Sequence, residues 1–157
     1  MSTLSVDTIQ GQTTAANVKL PAGCVLQTVE VQNTTFSETT STSFVDSGLS
    51  GSITPKFSTS KVLCQISAGI GNSGTSADIV IQVLRGSTKV LECARLSFNT
   101  GGHGHAQQFF QVLDSPSTTS ATTYKLQMKA DGGTTRFNDS ASNGSGSSSI
   151  VLMEIAQ

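Results

Sequence analysis

Hydrophobic and polar residues alternate with a period of two along most of the chain. The clearest stretch is 122–129, in which Tyr124, Leu126 and Met128 alternate with polar residues, and residues 61–70 follow the same pattern. Because successive side chains of a β-strand point to opposite faces of the sheet, this period predicts strands with one buried face. No stretch has the 3.6-residue period of an amphipathic helix.

Turn residues divide the chain into eight or nine short strands. Residues 42–53 form either a strand pair or one strand bent around Gly48 and Gly51, because glycine inside a strand often marks a bulge. The final strand is apolar on both faces for most of its length, which predicts a central position in a sheet or cover by a partner subunit. The predicted strands cover residues 24–31, 42–53, 61–70, 79–84, 89–96, 107–113, 122–129, 134–137 and 149–155.

Short strands with spaced turns predict an all-β fold, an antiparallel β-sandwich of the jelly-roll type. We assign this sandwich to residues 24–157. Residues 1–23 have too few apolar positions to form a core of their own. We expect them to be a short extended arm that attaches the domain to another structure, the alternative being a free terminus.

The composition limits the function. Only 12% of the residues are charged, about half of the roughly 25% found in ordinary soluble domains. Ser and Thr contribute 24 and 21 residues. The nine Lys and Arg residues are scattered, whereas nucleic-acid binding requires a concentrated positive face. No apolar run approaches the ~18 residues of a membrane span, so we expect neither a nucleic-acid partner nor membrane insertion.

The three cysteines, Cys24, Cys64 and Cys93, are widely spaced and form no CxxC pair, so neither a zinc site nor a redox pair is indicated. Cys64 and Cys93 lie inside apolar strand patterns, which predicts buried thiols that act as small hydrophobes. Unpaired thiols and the lack of a signal-peptide pattern at the start of the chain indicate synthesis in a reducing compartment.

Candidate chemistry centres on the two histidines. Residues 102–105, Gly-His-Gly-His, could place six imidazoles around a threefold axis, an arrangement that suits zinc, iron, copper or nickel. The glycine-rich surroundings instead favour a loop, residues 99–104, with two solvated histidines. A hydrolase would combine His103 or His105 with Asp114 and a serine, but no Gly-x-Ser-x-Gly motif is present. We therefore expect no enzyme, no catalytic residue, no metal and no cofactor.

Sugar binding would require exposed aromatic rings or polar loops. We expect most of the aromatic residues to lie in the core, so any glycan contact would come from loops 71–77, 99–105 and 138–148. The aromatic residues are Phe36, Phe44, Phe57, Phe98, Phe109, Phe110, Tyr124 and Phe137.

Six segments, which cover both ends and the middle of the chain, resemble structural proteins of marine bacteriophages, the cyanophage-like tail-fibre and virion proteins. The segments are LSVDTIQ (4–10), TTAANVKLPAG (13–23), LRGST (84–88), LDSP (113–116), TSATTY (119–124) and IVLMEI (150–155). The resemblance implies a homotrimer of jelly-roll domains in the virion, made in the host cytoplasm. It also implies that residues 1–23 join other virion proteins while outward loops bind a host receptor or glycan.

Two other hypotheses stay open at this point. A capsid decoration protein or a short capsid fibre would have the same fold, and the near absence of a shaft sequence favours it. An unrelated β-sandwich binding module or enzyme is the third possibility, since a fold does not determine a function.

Overall fold

The computed structural model describes residues 20–74, 78–97, 103–139 and 146–157, with backbone only for residues 93–97 and His103. These ranges contain ten β-strands and no helix, which confirms the all-β prediction. No described segment is a helix of the length and apolarity that a membrane crossing needs. The strands are β1 (Val25–Asn33), β2 (Ser37–Thr39), β3 (Val45–Ile53), β4 (Lys61–Ser73), β5 (Asp78–Arg85), β6 (Thr88–Ser97), β7 (His103–Asp114), β8 (Thr122–Asp131), β9 (Thr134–Phe137) and β10 (Ser148–Ile155).

The strands form two antiparallel sheets. Sheet A has six strands built around the long β4, whose first half pairs with β10 and whose second half pairs with β9. Strand β7 pairs with the whole opposite edge of β4. Strands β1 and β2 complete sheet A beyond β10 and β9, and sheet B has the order β3-β8-β5-β6.

The pairing is that of one long hairpin rolled into a sandwich. Setting aside the short β2 and β9, the eight remaining strands pair first with last, second with second-last, and so on inward: β1 with β10, β3 with β8, β4 with β7, and β5 with β6. This nesting is consistent with the jelly roll that the sequence predicts. It also places the final strand between β1 and β4, which confirms its predicted central position.

The core lies between the sheets and takes every second residue of each strand, as the period of two predicts. Burial of one such aliphatic side chain stabilises the fold by about 1.5–3 kcal/mol. The core comprises Leu49, Ile53, Val62, Cys64, Ile66, Ala68, Ile70, Ile79, Ile81, Val83, Tyr124, Leu126, Met128, Phe137, Ile150 and Leu152.

Two details of the strand prediction are resolved by the structure. Residues 42–53 contain one strand, β3, with an irregularity between Asp46 and Ser50 where Gly48 has a φ of 91°. Glycine adopts this left-handed conformation without the steric cost that a Cβ adds. The bend predicted at Gly48 is therefore confirmed, and the alternative of a strand pair is wrong.

Candidate interaction surfaces

The chain enters the sandwich at one end, which we call the proximal end. The N–H of Gly23 donates to the carbonyl of Ala156 (2.9 Å), and the N–H of Ala156 donates to the carbonyl of Cys24 (2.9 Å). The first described strand, β1, follows directly after these contacts. Of the predicted arm, residues 1–19 lie outside the described residues, so its role stays a prediction.

The bases of the three glycine-rich and serine-rich loops lie at the opposite, distal end. Strand β4 runs from the proximal end to Ser73, about 40 Å away at the rise of an extended strand. There Ser73 pairs with His103, the first residue of β7. The N–H of Asn138 donates to the carbonyl of Gly69, which places the start of loop 138–148 in the same region.

A buried carboxylate stabilises the proximal end. Glu154 is 0% exposed and lies on the inward face of β10 with Ile150 and Leu152. It accepts hydrogen bonds from the Gln27 side chain (2.5 Å) and from the backbone N–H groups of Lys56 and Phe57 (2.8 and 3.2 Å). Burial raises the pKa of Glu154, but these hydrogen bonds outweigh it and leave the pKa below its ordinary value. The carboxylate therefore fixes the 56–57 turn to the last strand.

The start of loop 138–148 is buried, contrary to the prediction of a wholly exposed loop. The Asn138 side-chain amide donates to the carbonyls of Asn33 (3.0 Å) and Thr35 (2.9 Å), and Ser148 donates to its oxygen (2.5 Å). Asn138 has a φ of 54°, a conformation that asparagine tolerates better than most residues. The reason for the difference is this set of hydrogen bonds, which holds Asn138 inside the fold. Residues 140–145 of the loop lie outside the described residues.

At the distal end of sheet A, the backbone of Gly71 lies very close to the carboxylate of Asp139. A Cβ on Gly71 would collide with the buried carboxylate of Asp139 and would lie only 2.8 Å from the backbone carbonyl oxygen of Gly104. Because this backbone atom cannot move away as a side chain can, glycine is required at residue 71. This contact holds Asp139 against the sheet, next to the strand pair of Gly71 and His105.

The structure separates the residues that a hydrolase would need. His103 and His105 start β7 and Asp114 ends it, so His105 and Asp114 are about 30 Å apart at the rise of an extended strand. The predicted loop 99–104 is wrong for His103 and Gly104, because β4 extends to Ser73 and offers them a partner strand. The same strand takes His105 out of the predicted glycan loop 99–105, and its side chain is exposed.

Asp114 instead joins the two sheets. Its Oδ2 accepts hydrogen bonds from the hydroxyl of Tyr124 (2.7 Å) and from Nη1 of Arg85 (2.7 Å), both of sheet B. Burial, the hydrogen bond to Asp114 and its negative charge raise the pKa of Tyr124 above its ordinary value. The hydroxyl therefore stays protonated and continues to donate at any physiological pH.

The outer face of sheet A, on the side away from the core, has an uncharged area on three of its strands. The charged side chains lie around this area: Glu30 on β1, Lys61 at the start of β4, Glu38 and Arg136 on β2 and β9, and Asp139 against Gly71. The outward positions between them carry no charge. These outward positions belong to β10, β4 and β7, between the strand ends. Their side chains are Ser149, Val151 and Met153 of β10, Leu63, Gln65, Ser67, Gly69 and Gly71 of β4, and His105, Gln107, Phe109, Gln111 and Leu113 of β7. Phe109 is 62% exposed and Leu113 is 53% exposed, the two highest values among the described large apolar side chains.

Four polar side chains on this outer face form two hydrogen-bonded pairs with each other. Gln107 donates to the hydroxyl of Ser67 (2.9 Å), and Gln65 donates to Gln111 (3.5 Å). A polar group that already has a partner costs less to remove from water than one without. The outer face of sheet A can therefore be covered by another protein surface at low cost.

The outer face of sheet B has the opposite character. Asp46 accepts hydrogen bonds from Gln127 (2.7 Å) and pairs with Lys125 (2.9 Å). The hydrogen bond from Gln127 and the neighbouring Lys125 hold the pKa of Asp46 below its ordinary value. Lys89 and Glu92 form a second ion pair on this face. Such a surface is typical of contact with water.

The prediction that most aromatic residues lie in the core is wrong. Among the described aromatic residues only Tyr124 and Phe137 are fully buried, and Phe36 and Phe109 are exposed. The reason is the strand period: Phe109 and Phe110 are adjacent in β7 and must point to opposite faces. The alternation of the surrounding residues could have shown that one of the two lies outside.

The thiols and possible metal ligands add no further site. Cys64 is buried and unpaired as predicted, and burial raises its pKa to about 12. Cys24 is half-buried, and the side chain of Cys93 lies outside the described part of the chain. Within the described residues, no three His, Cys, Asp or Glu side chains form a group that could hold a metal ion.

No protein-family model matches the chain, and no curated protein sequence matches it. Solved structures that align with it include the infectious bursal disease virus Gx strain (10% identity, 96% of this chain and 42% of that chain, TM-score 0.46). Another is the dimeric latent PorU of Porphyromonas gingivalis (7% identity, 88% and 13% coverage, TM-score 0.48). A third is the T13 particle of infectious bursal disease virus (10% identity, 98% and 40% coverage, TM-score 0.44). The chain spans less than half of the length of each, and likenesses at this level assign no function to it.

Proposed function

We propose that this chain is a structural protein of virus particles, a homotrimeric tail-fibre or attachment protein that displays loops for binding to a host surface. The observation that carries the proposal is the separation of the two ends of the sandwich. The chain enters at the proximal end beside Ala156, and at the rise of an extended strand the bases of loops 138–148 and 71–77 lie roughly 26 and 40 Å away, towards the distal end. An attachment protein needs this polarity.

Two further observations support the proposal. The six segments that resemble marine bacteriophage structural proteins include residues 13–23, which lead into the proximal end. The outer face of sheet A has an uncharged and partly apolar area on β10, β4 and β7, as expected for a surface that contacts other protein subunits.

We further propose that the chain is not an enzyme. Among the described residues, His105 and Asp114 lie at opposite ends of β7, and Asp114 is already bound to Tyr124 and Arg85. General acid–base catalysis needs such groups within hydrogen-bond reach of one substrate.

Antibodies raised against the purified chain would test the virion role. We expect immunogold labelling of particles purified from the virus whose genome encodes it, together with peptides of the chain in their mass spectra. The number of copies per particle separates the alternatives: a few trimers indicate the tail, and tens or more indicate a capsid decoration protein or short capsid fibre. Absence of the chain from purified particles would refute the proposal.

The attachment of the arm is tested by deleting residues 1–19. The truncated chain keeps every described strand, so we expect it to fold but not to join particles in a complementation assay. Normal incorporation of the truncated chain would exclude an attachment role for this segment. Binding of the purified full chain to host cells, with or without competing glycans, tests the proposed contact between the distal loops and a receptor.

A further inference from the structure

Strand β7 forms an edge of sheet A that lacks the usual protection. In the described part of the chain it pairs with β4 and with no second strand. Its twelve residues pair with β4 without a register shift, and residues 103–113 contain no Lys, Arg, Asp, Glu or Pro. Natural proteins protect such edges with charges, prolines or bulges, because a long regular edge invites pairing with another chain.

The side chains on this edge are also the most apolar part of the exposed surface. We call the outward side chains His105, Gln107, Phe109, Gln111 and Leu113 the β7 strip. Phe109 and Leu113 lie four residues apart on its exposed side. Both the backbone edge and the side chains of the same strand are thus open to a partner.

We propose that the β7 strip is the contact between copies of this chain, an inference that rests on the proposed function because a homotrimer is part of it. The charge distribution favours a second copy as the occupant. The strip carries no charge, and neither do the outward side chains of β4 from Leu63 to Ser67 and of β10 from Ser149 to Met153, so two such surfaces meet without like-charge repulsion. The outer face of sheet B, with Asp46, Lys125 and Lys89, offers no comparable uncharged surface.

The free edge of β7 is expected to take part in the contact. The outward positions of β10, β4 and β7 span roughly 14 by 27 Å, or about 400 Å², at ordinary strand spacing and rise. A stable specific interface buries about 800 Å² on each partner, so these side chains alone cover too small an area. The β7 edge adjoins them, and pairing of this edge with another copy would enlarge the contact.

Phe109→Glu is the decisive variant, and Phe36→Glu is its matched control. Phe36 is 38% exposed and lies before β2, outside the β7 strip. In sedimentation experiments on the full chain we expect a wild-type trimer, association at least tenfold weaker for Phe109→Glu, and no change for Phe36→Glu. Hydrogen exchange provides a second measurement: the β7 peptide 103–114 should exchange more slowly in the trimer than in Phe109→Glu, while circular dichroism confirms the fold of both.

Three results would overturn the inference. The first is a Phe109→Glu variant that assembles like the wild type. The second is a wild-type chain that is monomeric at tens of micromolar. The third is a monomer that begins to assemble when residues 1–19 are removed, since the chain's own N-terminal segment would then cover the strip. A monomeric chain that antibodies still detect on particles would overturn this inference while leaving the proposed virion role in place.

Discussion

The outer faces of the two sheets are built on the same strand period but differ in chemistry. Across sheet B, one row of outward side chains reads Asp46, Gln127, Gln82 and Glu92. A comparable row across β1, β10, β4 and β7 of sheet A reads Glu30, Val151, Gln65 and Gln111. Both rows contain glutamines, but the row of sheet B has an ionised side chain at each end, whereas that of sheet A has one on β1 and none at the β7 edge.

This difference between the outer faces indicates which of them is expected to stay in contact with water. Removing an ionised side chain from water is expensive unless it finds a partner of opposite charge, so the outer face of sheet B resists being covered. On the outer face of sheet A, glutamine and serine side chains pair with each other and apolar side chains stay partly exposed. The two faces therefore favour different neighbours, water for sheet B and protein for sheet A.

The largest expected effect comes from placing a charge on the outer face of sheet A. Gln65→Lys inserts a cation between Val151 and Gln111, in the middle of this face. If the face is an interface, burying the unpaired charge should weaken association about 100-fold, or about 2.7 kcal/mol. Sedimentation velocity over a concentration series measures this effect.

The matched control is Thr123→Lys on the outer face of sheet B, where Thr123 is exposed and pairs with Ser52. It should leave association unchanged. Equal weakening by both lysines would mean that the comparison of the two faces does not identify the interface.

Substitution of Glu154 tests whether the buried charge on the inward side of sheet A is stabilised by its hydrogen bonds. Glu154→Gln keeps the size but replaces one accepting oxygen by an amide donor, which would face either the N–H groups of Lys56 and Phe57 or the side-chain amide of Gln27. We expect a loss of about 1–3 kcal/mol in the free energy of unfolding at pH 7. Urea unfolding measures it.

The pH dependence of this difference follows from the lowered pKa of Glu154. The carboxylate contributes its stability above the ordinary pKa of 4.5, and the contribution is lost as the pH falls through the lower pKa of the folded state. The gap between wild type and Glu154→Gln should therefore narrow below about pH 4.5. A gap that stays constant down to pH 2.5 would show that the charge of Glu154 is not the cause.

The sequence predicted the fold well because one period decides most of it. Alternation at residues 61–70 and 122–129 identifies the inward side chains without knowledge of the partner strands. The same rule places Glu154 inside, since it has the parity of Ile150 and Leu152. The charge of Glu154 argues against an inward position, because a glutamate usually lies on the surface.

The interaction surfaces were harder to predict because they depend on pairing over long distances. Phe109 and Phe110 are adjacent, so one faces the core and the other faces outward. Phe110 is two residues from Val112, and both pack against the core, whereas Phe109 pairs with the outward Ser67. Asn138 lies in a run of Ser, Gly and Asn that looks solvated. Its burial depends on Asn33 and Thr35, about a hundred residues earlier.

A smaller effect on stability is expected from loss of the hydrogen bond between Tyr124 and Asp114, which joins the two sheets. Tyr124→Phe removes the hydrogen bond to Asp114 but leaves the Arg85–Asp114 pair, and we expect a loss of about 1 kcal/mol at pH 7. Because the pKa of Tyr124 is raised, its contribution is complete below the ordinary pKa of 10 and declines as the pH rises above it. Thermal unfolding at pH 7 and pH 11 measures both effects, and an unchanged wild-type advantage at pH 11 would contradict this account.

The smallest effect is expected from the charges of sheet B. Asp46→Asn removes the ion pair with Lys125, but the Asp46 side chain is 56% exposed, and exposed pairs typically contribute less than about 1 kcal/mol. Its lowered pKa therefore predicts little stability once solvent screening is considered. We expect a change below about 0.5 kcal/mol in urea unfolding at low salt, a still smaller one in 0.5 M NaCl, and unaltered association. A loss above about 1.5 kcal/mol would mean that these ions stabilise the sandwich itself. A small loss would mean that they chiefly keep the outer face of sheet B in water, leaving the outer face of sheet A for contact with other subunits.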